Sequence, residues 1–181
     1  KMNSEIITIS GSPASGKSTL AKMLAKKLNY KYLHTGILFR ALAKKKKMTL
    51  SEFEVYCLKY PKHDIAIDKQ MIKYVKTHKK VIYEGHISGW LCQKNKVESI
   101  KIWVNVPKDM RIKRIAKREK ISNCKAKELI NHREKFLVKR YKKLYNIKYY
   151  DKSIYDLIID NKPSPRVVLA NTLKTLKSLD K

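Results

Sequence analysis

The octapeptide Gly11-Ser12-Pro13-Ala14-Ser15-Gly16-Lys17-Ser18 restricts the architectures open to this chain more than any other stretch. It joins an apolar, β-branched run at residues 5–10 to an amphipathic run at 18–28. In the second run Leu20, Met23, Leu24, Ala25 and Leu28 gather near one helical face. Glycines in such a loop let successive backbone N–H groups turn inward around a polyphosphate, and the following helix adds the positive end of its dipole. Lys17 supplies a cation for the β- and γ-phosphates, and Ser18 a hydroxyl for Mg²⁺. Gly11, Ser12, Pro13, Ala14, Ser15, Gly16, Lys17, Ser18 and Thr19 are therefore the expected binding residues for a nucleoside triphosphate.

Residues 30–33, 80–84, 100–106 and 155–160 read as further short strands. Helices are expected between them: at 36–47 with Thr35 as cap, and from the capping box Thr49-Leu50-Ser51-Glu52 to near Pro61. Others are expected at 64–77, from Pro107 to 118, at 122–145 and at 166–179. Strands alternating with helices indicate a parallel α/β sheet whose ligand lies at the carboxyl ends of the strands. The five glycines, at 11, 16, 36, 85 and 89, all follow a predicted strand, in three loops. That placement suits a backbone approaching a ligand.

A net charge of +28 sets 43 lysines and arginines against 15 acidic residues. A nucleic-acid partner would suit that balance. The lysines are spread along the chain without a basic tail or an aromatic-rich RNA-binding motif, which favours a lysine-covered, solvated surface. Cys57, Cys92 and Cys124 lack C-x-x-C spacing, so the expectation is a reducing, cytoplasmic setting without a zinc site or disulfide scaffold. No apolar run has the length of a membrane span, and no secretory segment opens the sequence. Lys1 ahead of Met2 reads as an addition before a natural start. A length of 181 residues suits one domain with its own core.

Only seven of the basic residues are arginines, and five of those fall on two consecutive predicted helices. Arg111, Arg114 and Arg118 recur at i, i+3 and i+7, and Arg133 and Arg140 are seven apart, so each set shares a helix face. Phosphoryl transfer needs in-line positioning and cations around the moving group, and forked guanidinium groups on a mobile flap meet that need. The alternative use of these arginines is pairing with Glu119, Glu128 or Glu134. A second cationic site stands at Thr35-Gly36-Ile37-Leu38-Phe39-Arg40. There a helix N-terminus, a hydroxyl and a guanidinium one turn on can hold a monophosphate. Glu84, followed by Gly85, His86 and Gly89, ends a strand expected beside the loop strand and can orient a metal-bound water or an acceptor group.

Thr35 to Arg40 as quoted, Glu84-Gly85-His86-Ile87-Ser88-Gly89-Trp90, and Arg114-Ile115-Ala116-Lys117-Arg118 with Ile121-Ser122 form a distinctive series. With Arg133-Glu134, Lys139-Arg140-Tyr141 and Ser153-Ile154-Tyr155-Asp156-Leu157, it resembles the archaeal-type cytidylate kinases, in order and over nearly the whole chain. The resemblance implies a P-loop kinase of the nucleoside monophosphate kinase fold: a five-stranded parallel sheet flanked by helices, a helical acceptor-binding insert at about 35–78 and a short lid at about 118–135. It also implies transfer of the γ-phosphate of ATP to CMP, giving CDP and ADP, with Mg²⁺; use of dCMP as well, by a monomer without membrane association, is expected beside it. By position, Lys17, Arg114, Arg118, Arg133 and Arg140 would act on the transferring group and Ser18 would hold the metal. Thr35, Gly36, Arg40, Glu84, Gly85, His86, Gly89 and Glu134 would bind the acceptor. His86 departs from the family's usual Glu-Gly-Arg, so acceptor affinity or base choice is expected to differ. A carboxylate such as Glu134 is a natural partner for the exocyclic amine of cytosine. Adenylate, uridylate and shikimate kinases share this fold, and a nucleic-acid-binding P-loop ATPase would also use the loop.

Overall fold

β1 (Ile6–Gly11) is buried at every residue, because it runs through the middle of a sheet covered on both faces. The computed structural model describes residues 5–179, so Lys1 and Met2 lie outside it. The other strands are β2 (Lys31–His34), β3 (Val81–Glu84), β4 (Ile100–Asn105) and β5 (Leu157–Asp160), all parallel, in the order β2-β3-β1-β4-β5. Register sets Glu84 beside both Ile9 and His34, and Gly11 beside Val104. The carboxyl ends of four strands therefore meet at one edge.

Side chains alternate across this sheet with the period of two that pleating imposes. Ile7, Ile9, Ile82, Ile102 and Leu157 pack with Leu20 and Leu24 of α1 (Lys17–Leu28) and Val168 and Leu176 of α8 (Pro165–Ser178). On the opposite face Ile6, Val81, Tyr83 and Trp103 meet a larger helical layer. It comprises α2 (Thr35–Lys45), α3 (Leu50–Lys59), α4 (Lys62–Thr77), α5 (Ser88–Lys94) and α7 (Asn123–Tyr145). α6 (Lys108–Glu119) precedes α7 and packs against it through Ile115, Ala126 and Ile130. The expected parallel α/β sheet is present, and α2 to α4 fill the whole connection from β2 to β3. No helix among the described residues is long and apolar enough to cross a membrane.

Three expectations need correction. Thr35 is not a cap but the first residue of α2; His34 is the N-cap, and the Thr35 hydroxyl donates instead toward the Tyr83 hydroxyl and the Glu84 carbonyl, each at 3.4 Å. Pro107 is itself the N-cap of α6, outside its first turn. Residues 85–89 are not all loop, because α5 starts at Ser88. Seven residues are too few for an amphipathic period to show in sequence, and the N-cap Ile87 offers no side-chain bond. Gly36 and Gly89 therefore sit inside helices. A Cβ on Gly89 would lie 2.7 Å from Tyr155 Cε1, so this glycine answers to packing and not to a ligand.

The capping box of α3 forms as its sequence implies. Glu52 N donates to Thr49 Oγ1 at 3.3 Å, and Thr49 N donates to Glu52 Oε2 at 2.7 Å. Thr49→Ala removes one half of this exchange and should lower stability by about 1 kcal/mol in urea denaturation. An unchanged midpoint would show that tertiary packing alone sets the start of α3.

Candidate active site

The loop between β1 and α1 owes its shape to backbone conformations that side chains resist. Gly16, the N-cap of α1, has φ 83°, and a Cβ there would collide with the Asn161 amide. The loop carbonyls are held from outside. Ser15 O accepts from Asn161 Nδ2 at 2.6 Å and from Arg114 Nη1 at 3.2 Å, while Arg114 Nη2 donates to Asn161 O at 2.6 Å. Arg111 Nη1 adds a longer bond to Pro13 O at 3.4 Å. The first amides of α1 have no intrahelical partner and carry the positive end of the helix dipole, so the tethered loop offers donors to an anion.

Lys17 is buried in this cradle, with Nζ 3.4 Å from Ser12 O. Burial pulls its pKa down to about 8; Glu84 opposes the fall, and Arg133, Arg111 and Arg118 deepen it. Glu84 is 1% exposed and meets three side chains. It accepts from Ser18 Oγ at 2.9 Å and Tyr32 Oη at 2.6 Å, and pairs with His34 Nε2 at 2.9 Å. Burial acts to raise its pKa, but the His34 bond, Lys17 and Tyr32 outweigh it, so the carboxyl stays below its ordinary range. Among the described residues no group of three or more His, Cys, Asp or Glu is placed to hold a metal. The adjacent Ser18 hydroxyl and Glu84 carboxylate do fit Mg²⁺, which favours hard oxygen ligands and takes only one or two from protein when phosphates and waters supply the rest.

A cavity of about 350 Å³ opens beside the loop. Its walls are Pro13, Ala14 and Gly16 to Thr19 of the loop, His34 to Gly36, Phe39 and Arg40 around α2, and Leu50 and Glu54 of α3. Glu84, Gly85 and His86 follow β3, and Arg114, Arg118, Arg133, Leu137, Arg140 and Tyr141 come from α6 and α7. A second cavity of about 290 Å³ adjoins it across Gly16 and Arg114, bounded by Thr19, Leu20, Asn161, Pro163, Pro165 and Val168. Arg40 forms no hydrogen bond or ion pair among the described residues and is exposed at the cavity wall. Arg140 is buried, paired with Asp64, and stacked 4.8 Å over the Phe39 ring. Arg118 is exposed and bonds Glu119 at 2.8 Å.

Several expected site residues stand elsewhere. Glu134 does not line the cavity: its two carboxylate oxygens are turned to Arg111 at 2.6 Å and Lys108 at 3.0 Å. Arg111 is likewise absent from the lining, as are Gly11, Ser12, Ser15 and Gly89. Arg111 and Arg114 anchor α6 to the loop, which removes them from any free-moving flap. His86 does reach the cavity, and its ring is fixed. Nδ1 lies 3.1 Å from the Gly11 carbonyl, which can only accept, so Nδ1 carries the proton and Nε2 is an acceptor. Burial pushes the His86 pKa well below its ordinary value, with Lys17 and Arg133 adding to the fall, and the ring is neutral.

A profile of the cytidylate kinase-like family matches residues 6–163. The chain belongs to this family. It is 44% identical to a cytidylate kinase of Thermococcus kodakarensis over 155 residues, covering 86% of this chain and 78% of that one. A cytidylate kinase of Methanocaldococcus jannaschii is 40% identical over 86% and 87% of the two chains, and one of Pyrococcus horikoshii is 40% identical over 97% and 90%. In three dimensions the chain resembles a gluconokinase from Sinorhizobium meliloti, with TM-score 0.66 and 10% identity over 99% and 95% of the chains. It also resembles a shikimate kinase from Acinetobacter baumannii, with TM-score 0.62 and 15% identity over 98% and 95%. At such identities these structures bear on the fold alone, which is that of P-loop kinases.

The residues of this family member that sequence reasoning passed over are Asn161, Tyr32, Tyr149 and Glu54. Asn161 had a usable signal, since it directly follows β5 at the ligand-binding edge of the sheet. Tyr32 and Tyr149 reach Glu84 and His86 only through the fold. Because free Lys17 is half neutral near pH 8 and bound phosphates favour its charged form, binding of ATP should take up about half a proton at pH 8. Calorimetry in buffers of different ionisation enthalpy measures this uptake. Lys17→Met should abolish it; uptake that survives the substitution would assign the proton to another group.

Proposed function

We propose that the protein is a cytidylate kinase that transfers the γ-phosphate of ATP to CMP and dCMP, giving ADP and the nucleoside diphosphate. The observation that carries this reading, beside family membership, is one continuous cavity. Lys17 and Ser18 of the loop line it together with Arg40, which is unpaired among the described residues, and with Arg114, Arg118, Arg133 and Arg140.

In this reading the loop amides and Lys17 hold the ATP phosphates, and the second cavity takes the donor base against Arg114 and the apolar edges of Pro163, Pro165 and Val168. The insert α2 to α4 receives CMP. Arg40 and the N-terminus of α2 bind its phosphate, since a guanidinium fork and unpaired amides match phosphate oxygens. An oxygen of the CMP phosphate attacks the γ-phosphorus in line. The bond to the bridging oxygen breaks, and ADP leaves with that electron pair. Lys17, Arg118, Arg133 and Arg140 surround the γ-phosphoryl group and stabilise charge that water would otherwise screen. Ser18 and Glu84, with the phosphates, would hold Mg²⁺, which would supply further charge neutralisation. Residues 118–135, which carry Arg118 and Arg133, are the part suited to act as a lid. The reading includes a cytoplasmic, monomeric enzyme; the free thiols of Cys57, Cys92 and Cys124 support the reducing setting.

A coupled ADP-release assay across CMP, dCMP, UMP, AMP and GMP tests the assignment: turnover should be greatest with CMP and dCMP. A shift of this chain on RNA that is lost as salt rises, without ADP formation from CMP and ATP, would favour a nucleic-acid-dependent ATPase. Lys17→Ala should lower kcat by at least about 100-fold while the fold persists. Arg40→Ala should raise KM for CMP about tenfold and leave KM for ATP unchanged; an unmoved CMP KM would relocate the acceptor phosphate.

A further inference from the structure

Glu54 of α3 has no assigned role, yet it lines the main cavity with its side chain only 9% exposed. The other carboxylates around the site each accept from a side chain: Glu84 from Ser18 and Tyr32 beside His34, Asp64 from Arg140, Asp68 from Tyr145, and Glu134 from Arg111 beside Lys108. Asp64 keeps one buried oxygen, Oδ2, without a partner, but it does not line the cavity, whereas Glu54 does. Glu54 accepts no hydrogen bond among the described residues. Its one ionic neighbour, Arg133 Nε, is 3.6 Å away, beyond hydrogen-bond distance, and that nitrogen is itself buried without a partner.

A carboxylate withdrawn from water in this way carries a large desolvation cost unless a donor reaches it. Burial accordingly raises its pKa, with Arg133 and Arg140 opposing the rise. Among the described residues no group donates a hydrogen bond to it, and Glu54 lines a cavity from which a ligand can. That space is bordered by Phe39, Leu50 and Leu137, apolar walls suited to the faces of a flat ring, in the part of the cavity formed by α2, α3 and α7.

We propose that Glu54 is a specificity-determining residue: its carboxylate accepts a hydrogen bond from the exocyclic amine of the acceptor base. This rests on the cytidylate kinase reading and gives it the base contact that Glu134 cannot make. Cytosine presents an amino group at this position, where uracil presents a carbonyl oxygen. Two acceptors would then oppose each other in a desolvated site, so Glu54 both rewards cytosine and rejects uracil.

The test compares CMP, UMP and a CMP analogue with hydrogen in place of the 4-amino group, by calorimetric binding and by kcat and KM. The wild-type protein should lose about 10- to 100-fold in affinity for the analogue relative to CMP, the effect of one hydrogen bond to a charged group. Glu54→Gln, whose amide can turn its N–H₂ toward a carbonyl, should narrow the CMP-over-UMP preference by a similar factor. KM for ATP and the melting temperature should stay as in the wild type. A folded Glu54→Gln protein with an unchanged preference, or a wild-type protein indifferent to loss of the amine, would overturn the proposal. If Glu54→Gln fails to fold, the analogue decides on the wild-type protein alone. Wild-type protein that turns over no nucleoside monophosphate would overturn the functional reading together with this one. CMP turnover with an unmoved preference in Glu54→Gln would overturn the Glu54 contact only.

Discussion

The carbonyl of Ser15 is the fixed point of the molecule. Asn161, at the end of β5, and Arg114, on α6, both donate to it, and Arg114 donates again to Asn161 O. Three segments far apart in the chain are tied there around one oxygen. A polyphosphate cradle works only if its amides are already aimed when the ligand arrives, because reorganising them would consume the binding energy they provide. Anchoring the carbonyls from behind meets that condition without placing any side chain in front. The absent side chain of Gly16 leaves the room that the Asn161 amide occupies.

Around that fixed point the charges are deliberately unequal. Lys17, Arg118, Arg133 and Arg140 border one cavity, and Lys17 gives up part of its affinity for a proton, chiefly through burial and further through Arg133, Arg111 and Arg118. Such crowding is unfavourable in the empty protein and becomes favourable when phosphate charge enters. Two acidic residues nearby brace cations, Asp64 fixing Arg140 and Glu134 joining Arg111 and Lys108, while Glu84 is set in place by Ser18, Tyr32 and His34. The wider lysine excess is a different matter, as those side chains lie mostly on exposed helix faces.

What the chain revealed before folding was whatever is encoded over short distances. The loop Gly11 to Ser18 and the box Thr49 to Glu52 are complete within a few residues, and each forms as its residues imply. The order of strands and helices was readable from hydrophobic period for the same reason. Partner choice was not. Glu134 and Glu54 are both helical glutamates, and nothing local tells them apart; only the fold decides that Arg111 and Lys108 close on one while Arg133 stays 3.6 Å from the other. Thr35 shows the limit at smaller scale, since the Glu84 carbonyl and Tyr83 hydroxyl, nearly fifty residues away, compete for its hydroxyl. Within the family, the place of His86 at the cavity was legible, whereas its fixed tautomer depended on where the Gly11 carbonyl points.

Arg114 borders both cavities while also carrying the knot behind the loop. One side chain thus belongs to the walls of both cavities and to the scaffold of the loop. An exchange at this position alters all three together, so the two cavities cannot be reshaped independently through it. Glu54 and Arg40 border the main cavity alone, and changes there leave the second cavity and the loop anchor as they are.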